Sequence, residues 1–335
     1  MNSTSTNNSF PLASRPPNPF VDPKSLLYFT VFLLLTNAFG TVANILLLLA
    51  IAIHRPLRKT VSHILIAHCL VLDLASTIVS VPASVVQVYL PPHLPAYFCR
   101  YEGLLVYGVN MAISWATTVI ALQRLAAALL HRHFKTFMTT RGFLRAMLLF
   151  PWLVTAILVV FTTTETGLKI ARLGAGNCVI VSASNSSTPV FVYTVFSRYL
   201  PTVLDGVSYL VVLTKTCGDL RRRPGSHSLQ RRLELSRMLF LSFLWRCCTV
   251  YPSTVAISFF PAEYARNFAA QMATAFLWFS FGAIDPIFFW ASSRLFQRGV
   301  KEVLSHGKRY FCCGAPDNRR IVPAPASHYT TRHIT

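Results

Sequence analysis

The chain has 335 residues, of which 53% are hydrophobic and only 13% charged. Soluble domains carry roughly a quarter charged residues, so at a mean hydropathy of +0.49 a cytosolic enzyme, a disordered chain or a collagen-like fibre does not fit, and a polytopic membrane protein does. The net charge of +20 would suggest nucleic acid in a soluble protein, but here the Lys and Arg lie between and after apolar runs, which points to an anionic membrane face and to no nucleic-acid partner.

Residues Met1–Asp22 are polar and Pro-rich with no apolar centre, so no cleavable signal is expected and the first apolar run acts as its own membrane signal. A helix crossing the hydrocarbon core needs about 20 mostly apolar residues. Seven stretches qualify: Leu26–Ile53, Val61–Val88, Phe98–Leu130, Leu144–Thr163, Val190–Thr214, Leu233–Phe260 and Phe268–Ala291. Each must be helical, because a lipid-facing backbone has to satisfy its polar groups within the segment. The expected fold is all-α: a seven-transmembrane helix bundle, followed by a short amphipathic eighth helix. The chain divides into an N-terminal segment over residues 1–25, the bundle over residues 26–291, and an amphipathic helix with a tail over residues 292–335. Loops are short, and the tail is below the ~50 residues of a small domain.

The loop charges give a direction. With the N-terminus outside, most of the 31 Lys and Arg are cytoplasmic, among them Arg55, Arg58, Arg132, Arg141, Arg221, Arg222, Arg223, Arg294 and Arg298. The outer segments hold Arg15, Lys24, Arg100, Lys169, Arg172, Arg198 and Arg266. This asymmetry satisfies the positive-inside rule and predicts a multi-pass plasma-membrane protein with an extracellular N-terminus. The glycosylation sequons at Asn2, Asn7 and Asn185 all fall outside.

Five charged residues, Asp73, Arg124, Asp205, Arg246 and Asp285, lie within the spans, where charge is costly and usually functional; structural ion pairing is the alternative. The eight cysteines include no CxxC pair, so a zinc ribbon is not expected, and no metal or cofactor is called for. Cys69, Cys217, Cys247 and Cys248 read as apolar packing residues. Cys312 and Cys313, in the basic tail, are candidates for lipidation. An intramembrane enzyme or transporter would need signatures that are missing: there is no HExxH, no GxGD and no pair of inverted segments.

Several residues in order along the spans carry a resemblance. Asn44 precedes Ile45-Leu46-Leu47, and Leu70-Val71-Leu72-Asp73-Leu74 follows in the second span. Cys99 opens the third span and Gln123-Arg124-Leu125 closes it. Trp152 lies in the fourth, Pro201 and Tyr209 in the fifth, and Pro252 in the sixth. Asp285-Pro286-Ile287-Phe288-Phe289 ends the seventh, before Phe296. In this order and spacing the chain resembles the rhodopsin-like G-protein-coupled receptors from about Leu26 to Leu304. The resemblance implies a receptor, not an enzyme, that passes an extracellular ligand signal to a heterotrimeric G protein. Arrestin and membrane lipids are further implied partners, although Ser305, Ser327, Thr330, Thr331 and Thr335 are a sparse set of phosphorylation candidates.

The resemblance also implies roles for residues. Cys99 and Cys178 would be bridged on the oxidising side. Asn44, Asp73 and Asp285 would form the polar centre, where the family holds sodium; the matching Ile113 and Phe281 are not sodium ligands. Arg124, Gln123, Tyr209, Asp285, Pro286 and Phe289 would form the coupling switch. Gln123 replaces the usual acid beside Arg124 and offers it a neutral hydrogen bond, which predicts a weak inactive lock. Phe289 lacks the usual hydroxyl, which acts in the opposite direction. Arg246 stands where the family has a core phenylalanine, with Val250 in place of the lower tryptophan; it is expected to pair with Asp205, or alternatively with Asp285. Val106 provides no anchor for a cationic amine, and Phe279 no lysine for a Schiff base. The other candidate pocket residues are Tyr107, Asn110, Tyr193, Ser253, Thr254 and Gln271, for which ordinary interhelical packing is the alternative. The basic residues at the outer mouth favour an acidic small molecule or a peptide.

Overall fold

The structure is a computed structural model, and it describes residues 23–58, 61–89, 96–130, 140–164, 167–172, 178–183, 188–223, 227–260, 263–264 and 267–312. Asn2, Asn7, Asn185 and Cys313 lie outside the described residues, as does the side chain of Cys312.

The seven expected spans are present as helices. The first is Pro23–Ile53, followed by a one-turn helix, Arg55–Arg58. The second runs Val61–Ala75, passes through a π turn at Ser76–Ser80, and resumes as Val81–Tyr89. The third is Ala96–Leu129 and the fourth Arg141–Thr163. The fifth starts as Thr188–Thr194, has a π turn at Val195–Tyr199, and continues as Leu200–Arg222. The sixth is His227–Phe259, the seventh Phe268–Ser292, and an eighth helix covers Arg294–Cys312. Five of the spans are long and apolar enough to cross a membrane by length and composition alone; the fifth and sixth are not among those five. Both carry charged or polar residues on their inner faces and basic extensions toward the Arg124 end, which dilute their apolar character.

The fourth span begins three residues before Leu144, where Thr140 Oγ1 accepts a hydrogen bond from the Phe143 amide at 3.4 Å and supplies an N-cap. Both π turns immediately precede a proline, Pro82 or Pro201. Proline removes an amide donor and crowds the carbonyl four residues back. The helix answers by widening one turn: the Val81 amide bonds to the Ser76 carbonyl and the Leu200 amide to the Val195 carbonyl, each five residues back. The extra residue rotates the side chains that precede each proline.

Packing is densest toward the Arg124 end, where Leu65, Ile66, Leu70, Ile113, Ile120, Met238 and Phe296 are fully buried. The opposite faces of the spans expose Phe32, Leu35, Leu149, Leu153, Val160, Val203 and Leu210, as lipid-facing surfaces do. The first and seventh spans approach so closely that a methyl group at Gly40 would overlap Ala283; small residues at such contacts let helix backbones meet where lipid supplies no hydrophobic drive. The eighth helix is amphipathic. Its apolar side packs Phe296 beside Phe289, ring centroids 6.4 Å apart, and edge-on to His63, while Arg294, Arg298 and Lys301 are exposed.

Candidate functional site

Three polar levels are stacked along the bundle. At the Cys99 end, a two-stranded hairpin, β1 (Leu168–Arg172) against β2 (Cys178–Ser182), lies over the third span. It is joined to that span by a Cys99–Cys178 disulfide with its Cα atoms 5.6 Å apart. The hydroxyl of Tyr107 donates to the Cys178 carbonyl at 3.2 Å, so the hairpin is tied down at two points.

Beneath the hairpin is a small cavity of about 30 Å³. Tyr107, Asn110, Tyr193, Arg198, Trp278 and Phe281 are among the residues that line it, and Arg246 forms part of its floor. Asn110 donates its amide to the Val106 carbonyl at 2.7 Å, and Val106 itself is buried. Arg198 lies in the fifth-span π turn. Its guanidinium covers the Trp278 ring, 4.2 Å from the centroid, and donates to Thr254 Oγ1. Ser253 and Thr254 donate to the Val250 carbonyl, and Gln271 donates to the Tyr264 carbonyl at 2.8 Å. None of these last three lines the cavity; Thr254 reaches it only through Arg198.

The second level is a small void of about 10 Å³ at the centre of the bundle, whose lining includes Asp73, Asp205, Asp285, Thr117, Tyr209 and Arg246. Asp285 Oδ1 accepts from Ser242 at 3.0 Å. Asn44 donates its side-chain amide to the carbonyls of Gly40 and Gly282, at 3.0 and 3.1 Å, thereby linking the first and seventh spans. Arg246 does not pair directly with Asp205. Its Nη1 donates to Thr117 Oγ1 at 2.5 Å, and Thr117 Oγ1 stands 3.2 Å from Asp205 Oδ2. A threonine hydroxyl accepts on its lone pairs and donates its single proton; the Ser114 carbonyl, at 2.8 Å, competes with Asp205 for that proton, and Thr117 relays the guanidinium to the carboxylate when it turns to Asp205. The expected ion pair is thus corrected to a three-residue chain, because the third span places a hydroxyl between the fifth and sixth. The guanidinium also lies 5.7 Å from the Phe281 ring centroid. Asp73 Oδ1 and Asp205 Oδ1 are buried without a hydrogen-bond partner among the described residues.

The third level is Arg124, near the end of the third span. Its Nε and Nη2 are buried and have no hydrogen-bond partner among the described residues. Gln123 does not serve it: Gln123 Oε1 accepts from Ser62 Oγ at 3.1 Å, so the expected neutral lock runs to the second span instead. Adjacent residues of a helix point in different directions, and that is why Gln123 and Arg124 part company. Tyr209 is buried, 2% exposed, with its ring 6.0 Å from that of Phe243. Phe289 packs on Phe296, and Pro286 lies within the seventh span.

This ladder of intramembrane charges within seven helices matches a known pattern. The sequence profile of the 7 transmembrane receptor (rhodopsin family) matches residues 43–289. The chain belongs to that family. The crystal structure of squid rhodopsin shares its fold, with a TM-score of 0.69 over 89% of each chain at 14% identity. No curated protein sequence matches the chain.

For this rhodopsin-family receptor, two residues escaped sequence reasoning. Arg198 counted as an outer-loop charge, yet it sits inside the bundle. Thr117 drew no reading from the sequence, yet it joins Arg246 to Asp205. A cation four residues or fewer before a mid-span proline is the signal that could have found Arg198. Three cysteine readings also need correction: Cys69 is buried, but Cys217 and Cys248 are exposed and Cys247 is only half-buried. The fifth and sixth helices turn these three away from the tight core.

Proposed function

We propose that this receptor sits in the plasma membrane with its N-terminus outside and transmits the binding of an extracellular ligand to a heterotrimeric G protein. Residues 1–25 then form the outer segment, residues 26–291 the signalling bundle, and residues 292–335 the cytoplasmic helix and tail. The bundle works by population shift: ligand must favour a state in which the sixth helix has swung outward over the closed one. The ligand site is the cavity under the hairpin, with Tyr107, Asn110 and Tyr193 on its walls and Val106, Ser253, Thr254 and Gln271 as outer supports. Asn44, Asp73, Asp205 and Arg246 form the polar core that links this site to the coupling end. Arg124, Gln123, Tyr209, Asp285, Pro286 and Phe289 form that end. Glycans on Asn2, Asn7 and Asn185, acyl chains on Cys312 and Cys313, and arrestin as a second cytoplasmic partner belong to the same reading.

The observation that carries this proposal is Arg124: a guanidinium at the end of the third helix, buried and without a partner for two of its nitrogens. An unpaired buried cation is costly, and a G-protein segment entering an opened cavity would supply acceptors for it. The test is guanine-nucleotide exchange on purified G proteins of several classes by the native receptor, compared with Arg124→Ala. Ligand-free exchange by the native chain and its loss in the variant are expected. No exchange on any class would favour a second reading, a receptor-like protein that binds a ligand or a partner receptor without activating a G protein. The engagement of Gln123 by Ser62 and the bare Phe289 ring speak for that alternative.

A further inference from the structure

The cavity beneath the hairpin is lined by cations without anions. Arg198 and Arg246 both border it, and no Asp or Glu does so among the described residues. The nearest acid along the third span, Glu102, is turned away and accepts from Ser84 Oγ at 2.7 Å on the second span. Arg246 has its relay to Asp205 below. Among the described residues Arg198 has only a neutral hydroxyl, Thr254 Oγ1, and the face of Trp278. Stacking on an indole orients a guanidinium and holds its charge through the ring quadrupole, yet it leaves N–H groups directed into the plane of the fork. One further donor on the same lining is idle: the Trp278 Nε1 is buried and has no hydrogen-bond partner among the described residues. Buried polar groups are normally satisfied, so an unmet donor beside one unbalanced cation marks a place for an acceptor from outside the chain.

We propose that Arg198 anchors the receptor's ligand, and that this ligand is a small carboxylic acid with a flat apolar body. A carboxylate matches the planar guanidinium fork in two parallel hydrogen bonds. It would also accept from the Trp278 N–H. The remaining walls, Tyr107, Tyr193, Phe281, Met111 and Val250, suit an aromatic or aliphatic body. The space is about 30 Å³, well under the ~300–1,000 Å³ range of ligand sites, so it admits the carboxylate head as it stands, and the body of the acid enters only as the side chains of Tyr107 and Tyr193 turn aside. The fifth-span π turn is what presents the site: it turns Ser197 and Arg198 together toward the bundle axis, where a regular helix would not. This inference rests on the receptor reading for its purpose, but its chemistry does not depend on a G protein.

The test is binding to the purified full-length receptor with no G protein present. Benzoate, 3-phenylpropionate and oleate are each compared with their neutral amides, by the shift in thermal unfolding temperature and by titration. At least one acid is expected to bind tenfold or more tightly than its amide. That preference should disappear in Arg198→Gln and fall in Arg198→Lys, which keeps the charge and loses the fork. A preference for benzoate or 3-phenylpropionate identifies a water-borne acid, and a preference for oleate identifies one drawn from the bilayer; both uphold the carboxylate site. The idea is overturned if no acid outbinds its amide on the native chain, a comparison that needs no variant to fold. It is also overturned if the preference persists in a folded Arg198→Gln receptor. An acid that binds without promoting nucleotide exchange upholds this site and counts against the signalling role. Ligand-free exchange without any acid preference does the reverse.

Discussion

The two cavities of the bundle share one residue and differ in sign. Beneath the hairpin, Arg198 and Arg246 face each other's space with no carboxylate on the wall. At the centre, Asp73, Asp205 and Asp285 surround a single cation, the same Arg246. Both lie within the membrane-spanning part of the chain, where leaving a charge unbalanced costs several kcal/mol. The central cavity meets part of that cost internally, through Thr117 and Ser242, while Asp73 Oδ1 and Asp205 Oδ1 stay without a hydrogen-bond partner among the described residues. The cavity above leaves it open. The difference separates a part of the molecule built for holding the helices together from a part built to receive something. Arg246 borders both, so a change in the charge above it is felt by the relay below it.

The largest expected effect tests that division directly. Arg246→Met leaves three buried acids without their cation and strands the Thr117 hydroxyl. Breaking a buried charge arrangement by removing one partner costs about 3–5 kcal/mol. Arg198→Met removes a cation that has no acid partner, and methionine still covers Trp278 with apolar atoms. Its cost should stay within about 1 kcal/mol, since an apolar replacement of buried charge is often neutral or better. Thermal unfolding of both variants in the same detergent, without ligand, measures the contrast. Equal losses would mean that the two cavities do not differ in the way described.

The sequence carried much of this arrangement. Asp73, Arg124, Asp205, Arg246 and Asp285 stood out because each interrupts an apolar run, and the seven runs themselves gave the bundle. What could not be read was rotation. Arg198 lies three residues before Pro201 at the edge of an apolar stretch, so its charge fits an outer loop equally well; only the π turn at Val195–Tyr199 decides that it faces inward. Thr117 was silent for a different reason. Threonine within a span usually bonds back to the carbonyl four residues earlier, and Thr117 does have Ile113 within 3.2 Å. Its second role appears only when the fifth and sixth helices are in place. The partner of Gln123 was misjudged because neighbouring residues in sequence are not neighbours on a helix surface.

The relay supplies the next prediction. Thr117→Val keeps the shape of the side chain and deletes the hydroxyl between Arg246 and Asp205. Each group then loses one hydrogen bond in a dry space, at a cost of about 1–3 kcal/mol. Thr117→Ser should restore most of it, because the hydroxyl returns. The order Thr, Ser, Val in unfolding temperature is the expected result. If valine were as stable as threonine, the central cavity would not depend on a relay, and Arg246 would be balanced by the carboxylates without an intermediary.

The smallest effect lies at the Arg124 end, which resembles the cavity under the hairpin more than the centre: a buried cation with unmet donors. Gln123→Asp places a carboxylate one residue before Arg124 while removing the acceptor for Ser62. Because adjacent side chains diverge on a helix, the carboxylate acts on Arg124 through space and not by a hydrogen bond; an attraction of about 0.5–1 kcal/mol favours the closed state and lowers ligand-free signalling by roughly two- to fivefold. The lost Ser62 contact is a separate change, so Ser62→Ala serves as its control and should leave signalling near the native level. The comparison between the two variants isolates the charge. If Ser62→Ala lowered signalling as much as Gln123→Asp does, the second and third spans would set the basal state through the Ser62–Gln123 bond, and the unpaired Arg124 would not be its cause.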